Sequence, residues 1–374
     1  MLRPVWAEID LGNFRKNVET VRSLIPPTTK ILAVVKANAY GIGAVPASKV
    51  ALSVPGVEGL AVATPEEAME LREAGIDSVI LVLGPVTREA TAILAKSEVS
   101  VTVTGVDGIR AAEDAGASCK TRCRVHLKID TGMGRIGFRY GKELDAAIDT
   151  LLESPHVELE GIFTHFAAAD TDKEYTEHQL KEFRRALARV REKGLRPKYV
   201  HAANSAAIMD LPEAHLDLVR PGIMLYGCYP DPSLAGKASL YPVLSLHARV
   251  THVKTVPPGT YIGYGKTFCT TAETTIATIP IGYADGYPRM LSNRGTVLIG
   301  GKRYPIAGRV CMDQLMVDVG VDSGVKVGDK VTLIGSDGDE SITPDDIAEL
   351  SGTISHEILT GISARVPRKY IWPR

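Results

Sequence analysis

The chain has 374 residues, 45% hydrophobic and 23% charged, the balance of a globular protein rather than a disordered one. Its 43 Lys and Arg nearly cancel its 44 Asp and Glu, leaving a formal net charge of −1, so no polyanionic partner is implied and nucleic-acid binding is not expected. The length exceeds what one hydrophobic core usually spans, so two domains are expected.

The opening segment mixes Arg3, Glu8 and Asp10 into its apolar residues and lacks the apolar centre of a signal peptide. No stretch approaches ~20 apolar residues, so no membrane contact is expected. The five cysteines are odd in number and form no C-x-x-C pair; they read as reduced thiols of a cytoplasmic protein. From about Ile31 to Gly227, apolar strand-like runs alternate with amphipathic helix patterns, the signature of βα units and a parallel sheet. The strands read as Ile31–Val35, Val79–Leu83, Val99–Val103, Val125–Ile129 and Leu159–Phe163. Thr64 and Glu67 form a capping-box pattern with Pro65 in the first turn and Gly75 as a stop. Leu180, Phe183, Leu187 and Val190 recur at helical spacing over Glu174–Lys193, with Gly194 as breaker.

About eight such units fit the region, enough for a (β/α)8 TIM-like barrel; an open doubly wound sheet is the alternative. After Leu240 the texture becomes short β runs between Gly and Pro: Thr274–Ile281, Gly295–Ile299, Leu315–Val319 and Val331–Ile334. One short helix enters through Thr343–Asp346 and leaves at Gly352. The expected domains are therefore a barrel over 1–240 and a mainly β domain over 241–374, with the first residues, to about Asp10, able to pack with the latter.

The first barrel strand opens at Lys36 into a Gly-containing loop, which in a barrel is the catalytic face. A lysine partly desolvated there loses basicity and becomes an amine nucleophile; the plainer reading is a lysine that merely reaches out of a strand end. Lys36–Gly41 (KANAYG) closely resembles the cofactor-lysine motif of alanine racemases. Lys128–Gly137 (KIDTGMGRIG), Thr164–Ala167 (THFA), His201–Ser205 (HAANS) and Val219–Gly227 (VRPGIMLYG) follow in the family's order. So do Ile262–Gly265 (IGYG), Ile279–Gly286 (IPIGYADG), Arg309–Gln314 (RVCMDQ) and Ile362–Arg368 (ISARVPR). The resemblance spans essentially the whole chain.

It implies a pyridoxal 5'-phosphate enzyme that interconverts L- and D-alanine and supplies D-alanine for peptidoglycan. Lys36 would hold the cofactor aldehyde and act on one face of the substrate Cα, and Tyr264, from a partner subunit, on the other. Inversion needs two groups because the deprotonated Cα is planar. Tyrosine ordinarily titrates near about 10, so neighbours must favour its phenolate; His165 and Arg220 would form that chain. Arg220 would also face the pyridine nitrogen and keep it unprotonated, which weakens the ring as an electron sink.

Tyr40, Asn204, Ser205, Gly222 and Ile223 would bind the phosphate, late barrel loops being frequent phosphate sites. Arg135 and the Met312 amide would orient the substrate carboxylate. Lys128 matches a position carbamylated in many members, an ordinary lysine remaining the alternative. Asp170, Tyr283 and Arg289 would line the entrance. A small amino acid is the implied substrate, and a homodimer the implied working unit. His201 reads as a residue stacking near the cofactor, and no histidine set has metal-ligand spacing.

His356 departs from the pattern, standing where the family usually has a cofactor-contacting tyrosine; a roomier pocket and some activity on serine are expected. A barrel-type decarboxylase of basic amino acids and a single-domain pyridoxal phosphate carrier are the competing readings. Arg220 speaks against the first, and the second domain with Tyr264 against the second.

Overall fold

The computed structural model describes residues 2–373. The described chain divides into two compact units, one of Phe14–Ala39 and Ala44–Leu240, the other of residues 2–13, 40–43 and 241–373. Strand β1 (Val5–Asp10) lies in the second unit. The next eight strands close a barrel: β2 (Lys30–Val34), β3 (Val57–Val62), β4 (Val79–Val82), β5 (Ser100–Val103), β6 (Cys123–Lys128), β7 (Val157–Phe163), β8 (Tyr199–His201) and β9 (Leu218–Val219).

Every neighbouring pair is parallel, and β2 against β9 completes the ring through Lys30↔Leu218 and Ile31↔Val219. The open doubly wound alternative is thereby excluded. Strands covered on both faces need apolar residues throughout, and Ile31, Leu32, Ala33, Leu60, Ala61, Ile80 and Leu81 are fully buried.

Helices between the strands follow their sequence punctuation. Thr64 caps Pro65–Glu73 with a full capping box to Glu67, and Gly75 follows with φ 77°. The long helix is Lys173–Glu192, capped by Asp172, with Leu180, Phe183, Leu187 and Val190 on its buried face.

The second unit is mainly β. Its largest sheet runs Lys302–Pro305, Thr296–Ile299, Lys330–Asp337, β10 (Leu244–Arg249), β1 and Arg368–Ile371, with Glu340–Ile342 paired to Lys330–Asp337. Strand β1 is antiparallel to β10 and parallel to Arg368–Ile371. A three-stranded sheet of His252–Val256, Thr274–Ile279 and Leu315–Asp318 packs Val256 and Ile276 with Ile262 and Ala307. Two helices occur where one was expected, Pro344–Ser351 and Ser355–Gly361. The first ends at Gly352 in the left-handed region as expected. The second is seven residues long and starts at Ile354 with no side-chain cap, so the sequence carries no start signal for it.

Candidate active site

In a closed parallel barrel all strands end at the same rim, so residues that terminate different strands converge there. Lys36 follows β2, Lys128 ends β6, His165 lies just past β7, His201 ends β8 with Asn204–Ser205 after it, and Arg220 follows β9. Beyond Lys36 the backbone enters a left-handed turn: Ala37, Asn38, Ala39 and Tyr40 have φ between 50° and 53°. For residues with a Cβ this conformation costs roughly 1–2 kcal/mol each. The turn is tied down by Ala39 N donating to Val35 O (2.8 Å) and Ala44 N donating to Asn38 Oδ1 (2.8 Å). Desolvation lowers the Lys36 amine below its ordinary value, the charge of Arg135 adds to this, and Glu67 opposes it.

Arg220 is 3% exposed, yet no carboxylate among the described residues touches it. Burial pushes its guanidinium down to about 9, which leaves it a cation at neutral pH. Its Nη1 donates to His201 Nδ1 (2.8 Å), while Nη2 donates to Thr164 O (2.8 Å), Ala202 O (2.9 Å) and His165 Nδ1 (3.2 Å). A guanidinium cannot accept, so His201 must carry its hydrogen on Nε2. That hydrogen points to His126 Nδ1 (2.8 Å), and His126 Nε2–H in turn donates to Glu160 Oε2 (3.0 Å), which also accepts from Ser100. The chain Arg220→His201→His126→Glu160 therefore has one direction. It balances a buried cation with a buried carboxylate three hydrogen bonds away.

His201 stacks on Phe163, the rings 4.8 Å apart and nearly parallel. The same ring lies under Arg220 and Lys128. Gly161 permits the chain, since a Cβ there would fall 2.3 Å from His126 Nδ1. By the same donor argument His165 carries its hydrogen on Nε2, directed away from Arg220. Desolvation, then the charges of Arg220, Arg135, Lys128 and Lys36, hold its pKa well below the ordinary value.

Lys128 is buried and pushed down to about 8 by desolvation and the charge of Arg220; its amine donates to Ile129 O (2.8 Å). Asp130 accepts from Gly132 N and Gly134 N (both 3.1 Å) and shapes the exposed loop carrying Arg135. Asn204 caps Ser205–Asp210, its Oδ1 accepting from Ala207 N (3.1 Å). The Ser205 oxygen instead accepts Gly222 N (2.9 Å) and Met224 N (3.5 Å), joining the two segments and leaving its hydrogen to donate. Ile223 opens a 3-10 turn, so its amide has no partner within that turn. Asp170 sits exposed on the loop before the long helix.

The remaining expected residues belong to the second unit. Tyr40 is buried with its ring 5.8 Å from that of His356. Tyr264 is 72% exposed, beside Gly263 at φ 73°. Tyr283 N donates to Cys311 O and Ala284 N to Met312 O, both 3.0 Å, which brings the Tyr283 and Met312 loops together; Arg289 opens the following 3-10 turn. His126, Glu160 and Ser100 were not singled out from sequence. The available signal was the run of polar side chains at alternate positions of a barrel strand, as Arg124, His126 and Lys128 are in β6.

A family model described as the alanine racemase N-terminal domain matches residues 9–230, and one for the C-terminal domain matches 243–370. The chain belongs to the alanine racemase family. It is therefore an enzyme, an isomerase. The alanine racemase of Carboxydothermus hydrogenoformans is 49% identical over 99% of this chain and 100% of its own, and that of Desulforamulus reducens 47% over 99% and 100%. Among solved structures, the Bacillus anthracis alanine racemase with bound L-Ala-P superimposes with a TM-score of 0.94 at 43% identity, covering 99% of this chain and 95% of that one. The Clostridium difficile alanine racemase in complex with cycloserine gives 0.90 at 39% identity, covering 98% and 96%. Among the described residues no helix is long and apolar enough to cross a membrane, and no group of three or more His, Cys, Asp or Glu could hold a metal ion.

The depressed histidines set a pH dependence. His165 and His201 stay neutral in the fold, while in the unfolded chain they take up protons below about pH 6.5. The unfolded state then binds more protons, so stability falls as pH drops through that value. The linkage is about 2 kcal/mol per histidine between pH 7.5 and 5. Urea unfolding of the ligand-free protein should show this loss, and His165→Gln should reduce it by about that amount. An unchanged slope in the variant would mean that His165 accepts its proton within the fold.

Proposed function

We propose that the chain interconverts L- and D-alanine with pyridoxal 5'-phosphate as cofactor, and thereby supplies D-alanine for peptidoglycan in the cytoplasm. The observation that carries the reading is the pairing, at one barrel rim, of a partly desolvated lysine with a buried arginine that no carboxylate touches. The donor set suits the cofactor: an amine for an aldehyde, amides and a hydroxyl for a phosphate, and a surplus of cations from Lys36, Arg135 and Arg220 for anionic ligands. Bound, the cofactor supplies a carbonyl for the amine and an electron sink that acidifies the substrate Cα.

Lys36 holds the cofactor and, when released, moves a proton on one face of the Cα. Tyr264, contributed by a second copy, serves the other face. The directed Nε2–H of His165 would donate to the Tyr264 oxygen, with Arg220 behind it. Arg220, a permanent donor, would hold the cofactor through its ring nitrogen and would keep a proton off that nitrogen, which would weaken the ring as an electron sink.

Tyr40, Asn204, Ser205, Gly222, Ile223 and His356 hold the phosphate. Arg135 and the Met312 amide orient the substrate carboxylate, and Asp170, Tyr283 and Arg289 line the entrance. Lys128, with an amine near about 8, has enough neutral form to add to carbon dioxide, losing one proton to give an anionic carbamate that pairs with Arg135. The functional domains are 1–240 and 241–374, with the first residues, to about Asp10, serving the β domain. L-Ala-P and cycloserine on the relatives named above support an amino-acid-sized substrate.

The deciding experiment is to purify the protein with the cofactor and follow L-alanine by polarimetry. A visible absorption band that is lost in Lys36→Ala, together with racemisation that falls by about 10²–10⁴-fold in Tyr264→Phe, is expected. Racemisation at the original rate in either variant would sink the assignment. Because the site needs two copies, inactive Lys36→Ala and Tyr264→Ala chains should regain activity when mixed under subunit exchange; no regain would argue for a site within one chain. Serine should be turned over slowly, and His356→Tyr should lower the serine-to-alanine rate ratio. An unaltered ratio would show that His356 does not set the pocket's breadth.

A further inference from the structure

The capping box at Pro65–Glu73 uses only part of Glu67. Its Oε2 accepts from Ala63 N (2.7 Å) and Thr64 N (3.3 Å), which completes the cap. The other oxygen, Oε1, accepts from Ala37 N at 2.6 Å. Ala37 is the residue after Lys36 and the first of the four left-handed residues. A side chain serving only the helix would leave Oε1 to solvent; here it reaches across to the neighbouring strand end, thirty positions away in sequence. Strands β2 and β3 are adjacent, with Val34 opposite Ala61 and Val35 N donating to Ala61 O (2.9 Å), so the clasp joins two strand ends at the same rim.

We propose that Glu67 is a positioning residue for Lys36: its carboxylate clasps the left-handed turn that fixes the direction of the lysine and sets a negative charge within electrostatic reach of the amine. The inference rests on the reading of Lys36 as the lysine that serves the reaction. Ala37 and Asn38 are exposed and carry a Cβ, so neither packing nor glycine holds them in the left-handed region. A charge-assisted hydrogen bond to the Ala37 amide restrains the first residue of the turn, beside the bonds that Ala39 N and Ala44 N make further along it. The charge works against the desolvation and the Arg135 field that depress the amine, so Glu67 tempers the lysine as well as aiming it. Sequence displays Glu67 as a helix-capping residue, and nothing in its spacing reports the second bond.

Glu67→Gln is the discriminating variant, because an amide has a single acceptor oxygen and cannot serve both the helix cap and Ala37. Thr64→Ala is its control, since it removes the capping hydroxyl and leaves the clasp. In Glu67→Gln the kcat for alanine should fall about tenfold or more, as misaimed reacting groups do. The pH at which the cofactor-free protein reacts half-maximally with pyridoxal phosphate should move down, because a group favouring the ammonium form is gone. Thr64→Ala should lose thermal stability with kcat and that midpoint unchanged.

Glu67→Gln with wild-type kcat and midpoint, or Thr64→Ala reproducing its kinetic losses, would overturn the proposal and leave Glu67 a helix cap. Lys36→Ala distinguishes failure of the underlying reading: if it keeps both the absorption band and racemisation, Lys36 itself is misassigned. If it loses both, the result on Glu67 stands alone.

Discussion

A guanidinium taken out of water must keep its charge compensated, and the barrel interior is organised around that requirement at Arg220. Isolated burial of such a charge is costly, and a directly bonded carboxylate would relieve it most simply. Here the carboxylate is Glu160, three hydrogen bonds off, and two neutral imidazoles carry the polarisation between them. The tautomer of each histidine follows from the one before it, because the first donor in the series can only donate. Arg220 thus keeps its field for the rim of the barrel, and Glu160 keeps the account neutral below.

The same arrangement governs its surroundings. Phe163 provides one face for His201 and lies under the two cations. Gly161 leaves room for the His126 ring, and His165 receives its orientation from the second guanidinium nitrogen. A cation-rich rim with depressed amines at Lys36 and Lys128 is the electrostatic consequence. Such a rim favours anionic ligands and nucleophilic amines together.

Strain at the lysine turn and compensation at Arg220 are two forms of one device. Each places a functional group where its own preferences would not put it and holds it there with groups from another element of the barrel. Hydrogen bonds to charged acceptors are the means in both cases, Glu67 to the Ala37 amide and Glu160 to His126. In both, the acceptor sits in an element that is adjacent in the barrel and distant along the chain.

By itself the sequence determined the alternation of strands and helices, the caps at Thr64 and Thr343, the change of texture after Leu240 and, through its motifs, the family and the residues at the strand ends. These are legible because periodicity and capping act over a few residues, and because Lys36, Arg220 and Tyr264 stand in distinctive local patterns. Closure of the barrel, the second short helix at Ser355–Gly361, the tie from the Ser205 hydroxyl to the Gly222 amide, and the partners Glu160, His126 and Glu67 were decided only by tertiary structure. A buried polar residue takes its meaning from what lies opposite it. For these residues the opposite group comes from another strand end, and local spacing carries no record of which strands become neighbours or which side chains face inward together.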